Sequence, residues 1–277
     1  MYYTARYASI LLMAVPLAAW NETGHKAVAW IAYQNLTPAA RAEADALLKQ
    51  HPDSGVWRMH PFLEAAFWPD VIRGNPQYDN PTWHYINLPF SPDGTPLTPA
   101  DFEGPSVYTK IRQFRGTVGD KSRPGVERAV QLAWIEHLVG DVHQPLHTVA
   151  RFSRETPKGD RGGNDVRLRE ARNLHSYWDG ALGTTRDEQQ IRKLAEDIMK
   201  SHPHEEPANL DVRAWVEDGF RAAKESVYTF GDGSGTKEPI ALPEGYAAAA
   251  QKVARARAAL AGYRLAALLN EALKARQ

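Results

Sequence analysis

From residue 20 onward the apolar positions recur every three or four residues, and no stretch alternates with the period of two that a half-buried strand requires. Gly24 to Leu36 carries Val28, Ala29, Ile31 and Ala32 at helical spacing. Thr37-Pro38 then offers a capping hydroxyl and a proline suited to the first helical position, for a helix running to about Gln50. The same periodicity predicts helices near 61–72, 105–118, 125–143, 173–182, 187–200, 210–229 and 244–275. Loops rich in Pro, Gly and Asn separate them, chiefly 74–104, 151–170, 201–209 and 231–243. Loops this long in a compact helical protein tend to be draped over a functional site. No repeat, low-complexity tract or interdomain linker breaks the pattern, so the expectation is a single all-α, multi-helix domain over residues 20–277.

The first nineteen residues read differently. Arg6 is the one charge before Ala8, a twelve-residue mainly apolar run follows to Ala19, and Trp20-Asn-Glu-Thr begins polar sequence. That order is the one a secretory signal peptide shows, and the run, interrupted by Pro16, falls short of the roughly 20 apolar residues a membrane span needs. Residues 1–19 are therefore expected to be a signal peptide, the mature protein to be exported to the periplasm or beyond without stable membrane association, and the new N-terminus to be a free amine on Trp20.

Composition narrows the chemistry. The 277 residues include 33 Lys+Arg against 33 Asp+Glu, 43% apolar residues, ten His and no Cys, which excludes disorder, a collagen-like chain and a disulfide-stapled mini-domain. A chain of this length can bury a sufficient core unaided, so a metal would serve chemistry before stability. Thiolate metal sites and a Cys nucleophile are excluded outright. The balanced charge argues against gripping long nucleic acid through a broadly basic surface, although charge carried by bound metal escapes that count.

Within 125–143, Val126, Val130, Ala133, His137 and Asp141 follow at steps of four, three, four and four and are expected to share one inward face. A buried imidazole and carboxylate need partners. Gln144-Pro145 ends the helix and Leu146-His147 follows at once. On a later segment Asn173-Leu-His175-Ser-Tyr-Trp-Asp179 repeats the His-x-x-x-Asp spacing, and Phe67-Trp-Pro-Asp70 and Trp83-His84-Tyr85-Ile86-Asn87 each set a candidate ligand among aromatics. His25 lies five residues after Trp20. Imidazole and carboxylate without thiolate suit zinc in a catalytic site. The remaining histidines read as structural. His51 ends a helix where a cation favours the dipole, His60 precedes Pro61, His202 and His204 lie in a polar loop, and His143 is turned about 200° from Asp141.

The ordered set, from Trp20-x-x-x-Gly24-His25 through Asp70, His84-Tyr-Ile-Asn87 and His137-Leu-Val-Gly-Asp141-Val-His-Gln-Pro-Leu-His147 to His175 and Asp179, resembles the zinc-dependent, single-strand-specific nucleases of secreted fungal and plant type. The resemblance implies a helical fold with long loops around a cleft that holds three zinc ions. Trp20, through its amine and carbonyl, His25 and Asp141 would hold one ion. Asp70, His84 and His137 would hold a second, bridged to the first by Asp141, and His147, His175 and Asp179 a third. Asp70 and Asp141 thereby join the catalytic set. Arg73 matches the family's catalytic arginine, Tyr85 and Asn87 would contact a base, and Gly163-Asn164 matches an element of the family's base pocket. The activity implied is hydrolysis of single-stranded DNA and RNA to 5′-phosphorylated nucleotides, with 3′-nucleotides as further substrates, by a monomer. Two departures are the absence of cysteines and Asn87 where many fungal relatives carry a carboxylate. Zinc phospholipase C shares the His-x-x-x-Asp-x-x-x-x-x-His core, but there the N-terminal Trp and the next His lie further apart and the final ligand is Glu. A noncatalytic zinc store is the alternative of another class.

Overall fold

The computed structural model describes residues 20–204, 209–231 and 238–274, so the expected signal peptide at 1–19 lies outside the described residues. The helices begin where the capping chemistry places them. The Asn21 side chain accepts the Gly24 N–H at the head of α1 (Glu22–Gln34), and Thr37 accepts from Ala40 ahead of Pro38 in α2 (Pro38–Leu48). α3 (Pro61–Val71) opens on a proline, and a Ser106–Thr109 capping box opens α4 (Val107–Thr117). α5 (Gly125–His143) leads through a short 3₁₀ turn (Pro145–Thr148) to α6 (Leu174–Asp179), which Asn173 and Ser176 cap reciprocally. α7 (Glu188–Ser201), α8 (Val212–Ala222, continued by a π turn at Ala223–Val227) and α9 (Tyr246–Ala272) complete the helices.

α5 is the axis, with α1 to α4, α8 and α9 packed around it. The sequence suggested one inward stripe. Instead Val126 is 49% exposed, while every side chain from Gln131 to His143 is buried. The helix is a rod whose first turn is exposed at Val126 and whose stretch from Gln131 onward is enclosed on all sides, so no single face distinguishes His137 and Asp141 from His143. α1 crosses α9 at Gly262, where a Cβ would fall 2.4 Å from Ile31 Cγ2. Only a glycine permits that approach, which brings α9 against α1 at Val28 and Ile31.

The prediction of no strand needs one amendment. Leu88–Phe90 (β1) pairs in parallel with Val149–Arg151 (β2), Leu88 opposite Val149. Three-residue runs are too short to show alternation, which is why the sequence hid them. Their register has a consequence for the site: just upstream, Ile86 N–H donates to the His147 carbonyl at 2.9 Å, and His147 Nδ1 meets the His84 carbonyl at 2.7 Å. The strand pair thus fixes His84 beside His147. No helix among the described residues is long and apolar enough to cross a membrane.

Candidate metal centre

Three clusters of side chains converge at the C-terminal end of α5. Ligand-capable atoms of His25, His137 and Asp141 lie within 4.8 Å of one another, as do those of Asp70, His84 and His137, and those of His147, His175 and Asp179. All eight residues are buried or nearly so. Trp20, the ninth expected ligand, is wholly buried, and Asn21 N–H donates to the Asp179 carbonyl at 3.1 Å. Two glycines make room here. A Cβ on Gly24 would sit 2.7 Å from Trp20 Cβ, and one on Gly140 would sit 2.8 Å from His25 Nδ1.

The imidazole tautomers follow from backbone contacts. Nδ1 of His137 faces the Ala66 carbonyl at 2.8 Å, Nδ1 of His147 the His84 carbonyl, and Nδ1 of His175 the Gly162 carbonyl at 2.7 Å. A carbonyl can only accept, so each Nδ1 carries the hydrogen and each Nε2 presents a lone pair. Yet Nε2 of His147 and Nε2 of His175 face each other 3.1 Å apart, and Nε2 of His137 lies 3.0 Å from Nδ1 of His84 and 3.4 Å from Asp141 Oδ2. Neither Nε2 of the first pair can donate to the other without losing its carbonyl bond. Acceptors converge on acceptors, and a cation between them resolves the conflict.

The spacings fit one. Zinc with nitrogen donors at about 2.0–2.1 Å in tetrahedral array sets its ligand atoms roughly 3.3–3.4 Å apart. Here His25 Nε2 to Asp141 Oδ1 is 3.3 Å, His84 Nδ1 to Asp141 Oδ2 is 3.0 Å, His137 Nε2 to Asp70 Oδ1 is 3.7 Å and His175 Nε2 to Asp179 Oδ1 is 3.8 Å. The two oxygens of Asp141 point to different clusters, the arrangement a bridging carboxylate requires. Buried atoms without a hydrogen-bond partner gather in the same place: both ring nitrogens of His25, His84 Nε2, Asp70 Oδ2 and Asp141 Oδ1.

Electrostatics add to the demand for positive charge. Burial pushes the Asp141 carboxyl well above its ordinary range, with Asp70 and Asp179 adding to the push and Arg73 opposing it. Burial likewise raises Asp70, to about 6, against the pull of Arg73. Burial lowers His25, His84, His137 and His147 well below the usual imidazole value, so their rings are neutral and available as ligands.

Beside the clusters a cleft of about 210 Å³ is walled by Arg73, Tyr85, Asn87, Asn164, His84 and His175, among others. Arg73, at the end of α3, holds Asp70 Oδ1 through Nη2 at 2.9 Å and Nε at 3.2 Å. Tyr85 is 40% exposed. Gly163 is buried behind the wall, in contact distance of Leu174, so of the Gly163-Asn164 pair only Asn164 faces the cleft.

The S1/P1 nuclease family model matches residues 20–274. The chain belongs to this family. It is 24% identical to "Endonuclease 2" of Arabidopsis thaliana over 94% of this chain and 93% of that protein. It is 23% identical to "Nuclease S1" of Aspergillus oryzae over 84% of this chain and 74% of the fungal one, and 27% identical to Arabidopsis "Endonuclease 3" over 59% and 54%. As an S1/P1 nuclease the chain is a hydrolase of phosphodiester bonds, and its His/Asp clusters are groups that could hold the metal on which the family depends.

Several residues that build this nuclease site escaped the sequence reading. Gln144 donates to Asp179 Oδ1 at 2.7 Å while its own oxygen accepts the Leu146 N–H, so it orients a candidate ligand and turns the chain toward His147. Asp160 accepts from the Arg151 N–H and the Tyr228 hydroxyl, pinning the loop from behind. Among the described residues Arg161 is the sole non-glycine with positive φ, +54°, and Gly162 and Gly163 follow at +61° and +78°. That left-handed run aims the Gly162 carbonyl at His175. The Gly-Gly pair was the signal for it. His51 also departs from expectation: it is 2% exposed against Trp57 and Trp68, and burial lowers its pKa to about 4, so it is neutral and does not serve the helix dipole. His60 caps α3, accepting from Phe62 N–H, and His143 is structural.

Proposed function

We propose that this protein is a three-zinc endonuclease that hydrolyses single-stranded DNA and RNA to 5′-phosphorylated nucleotides and removes the phosphate of 3′-nucleotides. The observation that carries the reading is the set of converging imidazole lone pairs whose tautomers the backbone fixes, opening on a cleft with an arginine and an exposed tyrosine. Trp20 with His25 and Asp141 would hold one ion, Asp70 with His84, His137 and Asp141 a second, and His147 with His175 and Asp179 a third. Zinc bound there would supply Lewis acidity toward phosphoryl oxygen and would lower the pKa of water to roughly 7.

The chain's own groups do the rest. Arg73 presents its guanidinium to the cleft from a fixed pose on Asp70 and stabilises negative charge that grows on the phosphoryl oxygens in the transition state. Gln144 holds Asp179, and the Ala66, His84 and Gly162 carbonyls hold the imidazoles, so the ligand sphere needs no rearrangement as charge develops. Tyr85 offers a face for a base and Asn87 and Asn164 offer hydrogen bonds beside it. A base reaches Tyr85 only when unstacked, which favours single strands.

Removal of residues 1–19 and export accompany this reading, because only a chain beginning at Trp20 offers an α-amine with its carbonyl for chelation. The test is a side-by-side assay of the exported protein on single-stranded DNA, RNA, a 3′-mononucleotide and phosphatidylcholine, with intact mass and metal analysis. The expected result is three zinc per chain, a mass beginning at Trp20 and turnover of the first three substrates. Zinc-saturated protein that cleaves only phosphatidylcholine, or no phosphoester, overturns the reading.

A further inference from the structure

The central cleft is small. At about 210 Å³ it falls below the 300–1,000 Å³ usual for a ligand site, so a polynucleotide must continue beyond it. It shares Arg161, Asn164 and His175 with a larger neighbouring cleft of about 790 Å³ that lies beside His175 and Asp179. Three arginines, Arg161, Arg167 and Arg172, line that neighbour, and Asn21, Asn164 and Asn173 form part of its wall. All three arginines are exposed. Among the described residues the one carboxylate lining it is Asp179, which belongs to the third cluster. Arg161 is kept in place by Asp165 at 2.7 Å, and among the described residues Arg172 has no ion-pair partner. A third cleft, of about 470 Å³, shares Tyr85 and Asn87 with the central one and has Ile86, Phe152 and three prolines in its wall, with Lys158 as its one cation among the described residues. The two neighbouring clefts differ in the charge of their described lining residues, three arginines in one and a single lysine in the other.

We propose that the arginine-lined cleft is a subsite for the sugar-phosphate backbone of a single strand, gripping phosphates adjacent to the bond that is cut. The assignment rests on the nuclease reading for the central cleft and adds the path by which polymer leaves it. Arg167 and Arg172 neutralise backbone phosphates there, and Arg161, at the border, aligns the strand between the two clefts. The subsite lies outside the reach of a small diester, which occupies the central cleft alone. Affinity for polymer therefore carries a counterion-release contribution from this region that small substrates lack.

The test compares wild type with Arg167→Ala/Arg172→Ala and Arg167→Lys/Arg172→Lys in the zinc-loaded enzyme, using a twenty-nucleotide oligo(dT) and bis(p-nitrophenyl) phosphate, with KM measured across a salt series. Each phosphate contact on a single strand contributes about 0.7 to the slope of log affinity against log salt. The double alanine variant is expected to lose about 1.4 from that slope and to raise the oligonucleotide KM about tenfold at 0.15 M salt, with small-diester turnover within twofold of wild type and the lysine variant restoring the slope. An unchanged slope and KM on the oligonucleotide overturns the subsite and leaves the nuclease reading standing. Equal loss on both substrates overturns the separation of the two clefts. Wild-type enzyme inert on both substrates removes the nuclease reading and the subsite together.

Discussion

Two regions flanking α5 bury histidine in the same way and end differently. Behind the helix, His143 is fully enclosed, its Nδ1 facing the Val139 carbonyl at 2.7 Å and its Nε2 accepting from Arg264 at 3.0 Å, while Arg264 reaches on to Asp218 at 2.8 Å and Arg257 donates to the His143 carbonyl. In front, Nδ1 of His137, His147 and His175 likewise each faces a backbone carbonyl, but Nε2 of His147 and Nε2 of His175 face each other, and Nε2 of His137 lies among His84 Nδ1 and the Asp141 and Asp70 carboxylates. Burial and a fixed tautomer are common to both regions. The difference is the second nitrogen: His143 Nε2 has a donor within the protein, whereas the front clusters leave theirs to be completed from outside. That criterion separates a structural imidazole from a ligand where burial cannot.

The sharpest way to break the comparison is Asp141→Asn. It keeps shape and removes the charge that faces two clusters at once, so zinc content should fall and kcat/KM on single-stranded DNA should drop by about 10³-fold, several kcal/mol of transition-state stabilisation. Near-wild-type turnover with full metal content would show that the front network does not need its bridging carboxylate.

Stripping the metal should follow in size. A single ion present at a thousand times its Kd stabilises the fold by about 4 kcal/mol, and for a chain of this length that is roughly 8–16 °C in Tm. Chelator-treated protein is expected to melt lower by at least that amount in differential scanning fluorimetry and to recover on adding zinc. An identical melt would mean that the front region is as self-sufficient as the back.

The converse cut is Arg264→Met, which takes the donor from His143 Nε2 and the shorter of two arginine contacts from Asp218, leaving Arg221 at 3.5 Å. About 2–4 kcal/mol should be lost, roughly 5–15 °C in Tm, with zinc content unchanged in the folded protein. Metal analysis decides the point, since loss of zinc would make His143 part of the front network.

This contrast also marks what the sequence could reveal. His137, Asp141, His147, His175 and Asp179 were legible because two His-x-x-x-Asp repeats and a Gln-Pro-Leu-His turn place donors at helical spacing on otherwise apolar segments. The helices were legible to within a few residues for the same reason of periodicity, helped by caps at Thr37 and Asn173. Three features were not. β1 and β2 are too short to leave a pattern, the burial of α5 on all sides erases the stripe that was expected to single out one face, and the left-handed turn at Arg161 depends on Asp160, Tyr228 and Arg151 meeting from distant segments. His51 was misplaced because a helix end next to proline looks exposed in sequence, whereas Trp57 and Trp68 close over it.

His51 supplies the intermediate case and the smallest effect. Its Nδ1 accepts from the Asp53 N–H, its Nε2 has no partner, and burial holds its pKa at about 4, opposed only by the Asp53 charge. In the unfolded chain the ring takes a proton near pH 6.5, so between pH 6.5 and about 4 the unfolded state binds more protons than the folded one and stability falls as pH falls. Above that window the ring is neutral in both states and contributes no slope; below it both are protonated and no further loss accrues. The contribution should reach about 1 kcal/mol by pH 5.5, or roughly 2–4 °C. His51→Gln removes the titrating group, so its Tm should decline less than that of wild type between pH 7 and 5. The histidines of the three clusters are unchanged between the two proteins, and the difference between the two curves therefore isolates His51. Parallel curves would mean that the ring is protonated in place between Trp57 and Trp68, and that an enclosed imidazole in this fold can complete itself with solvent where neither an arginine nor a metal is at hand.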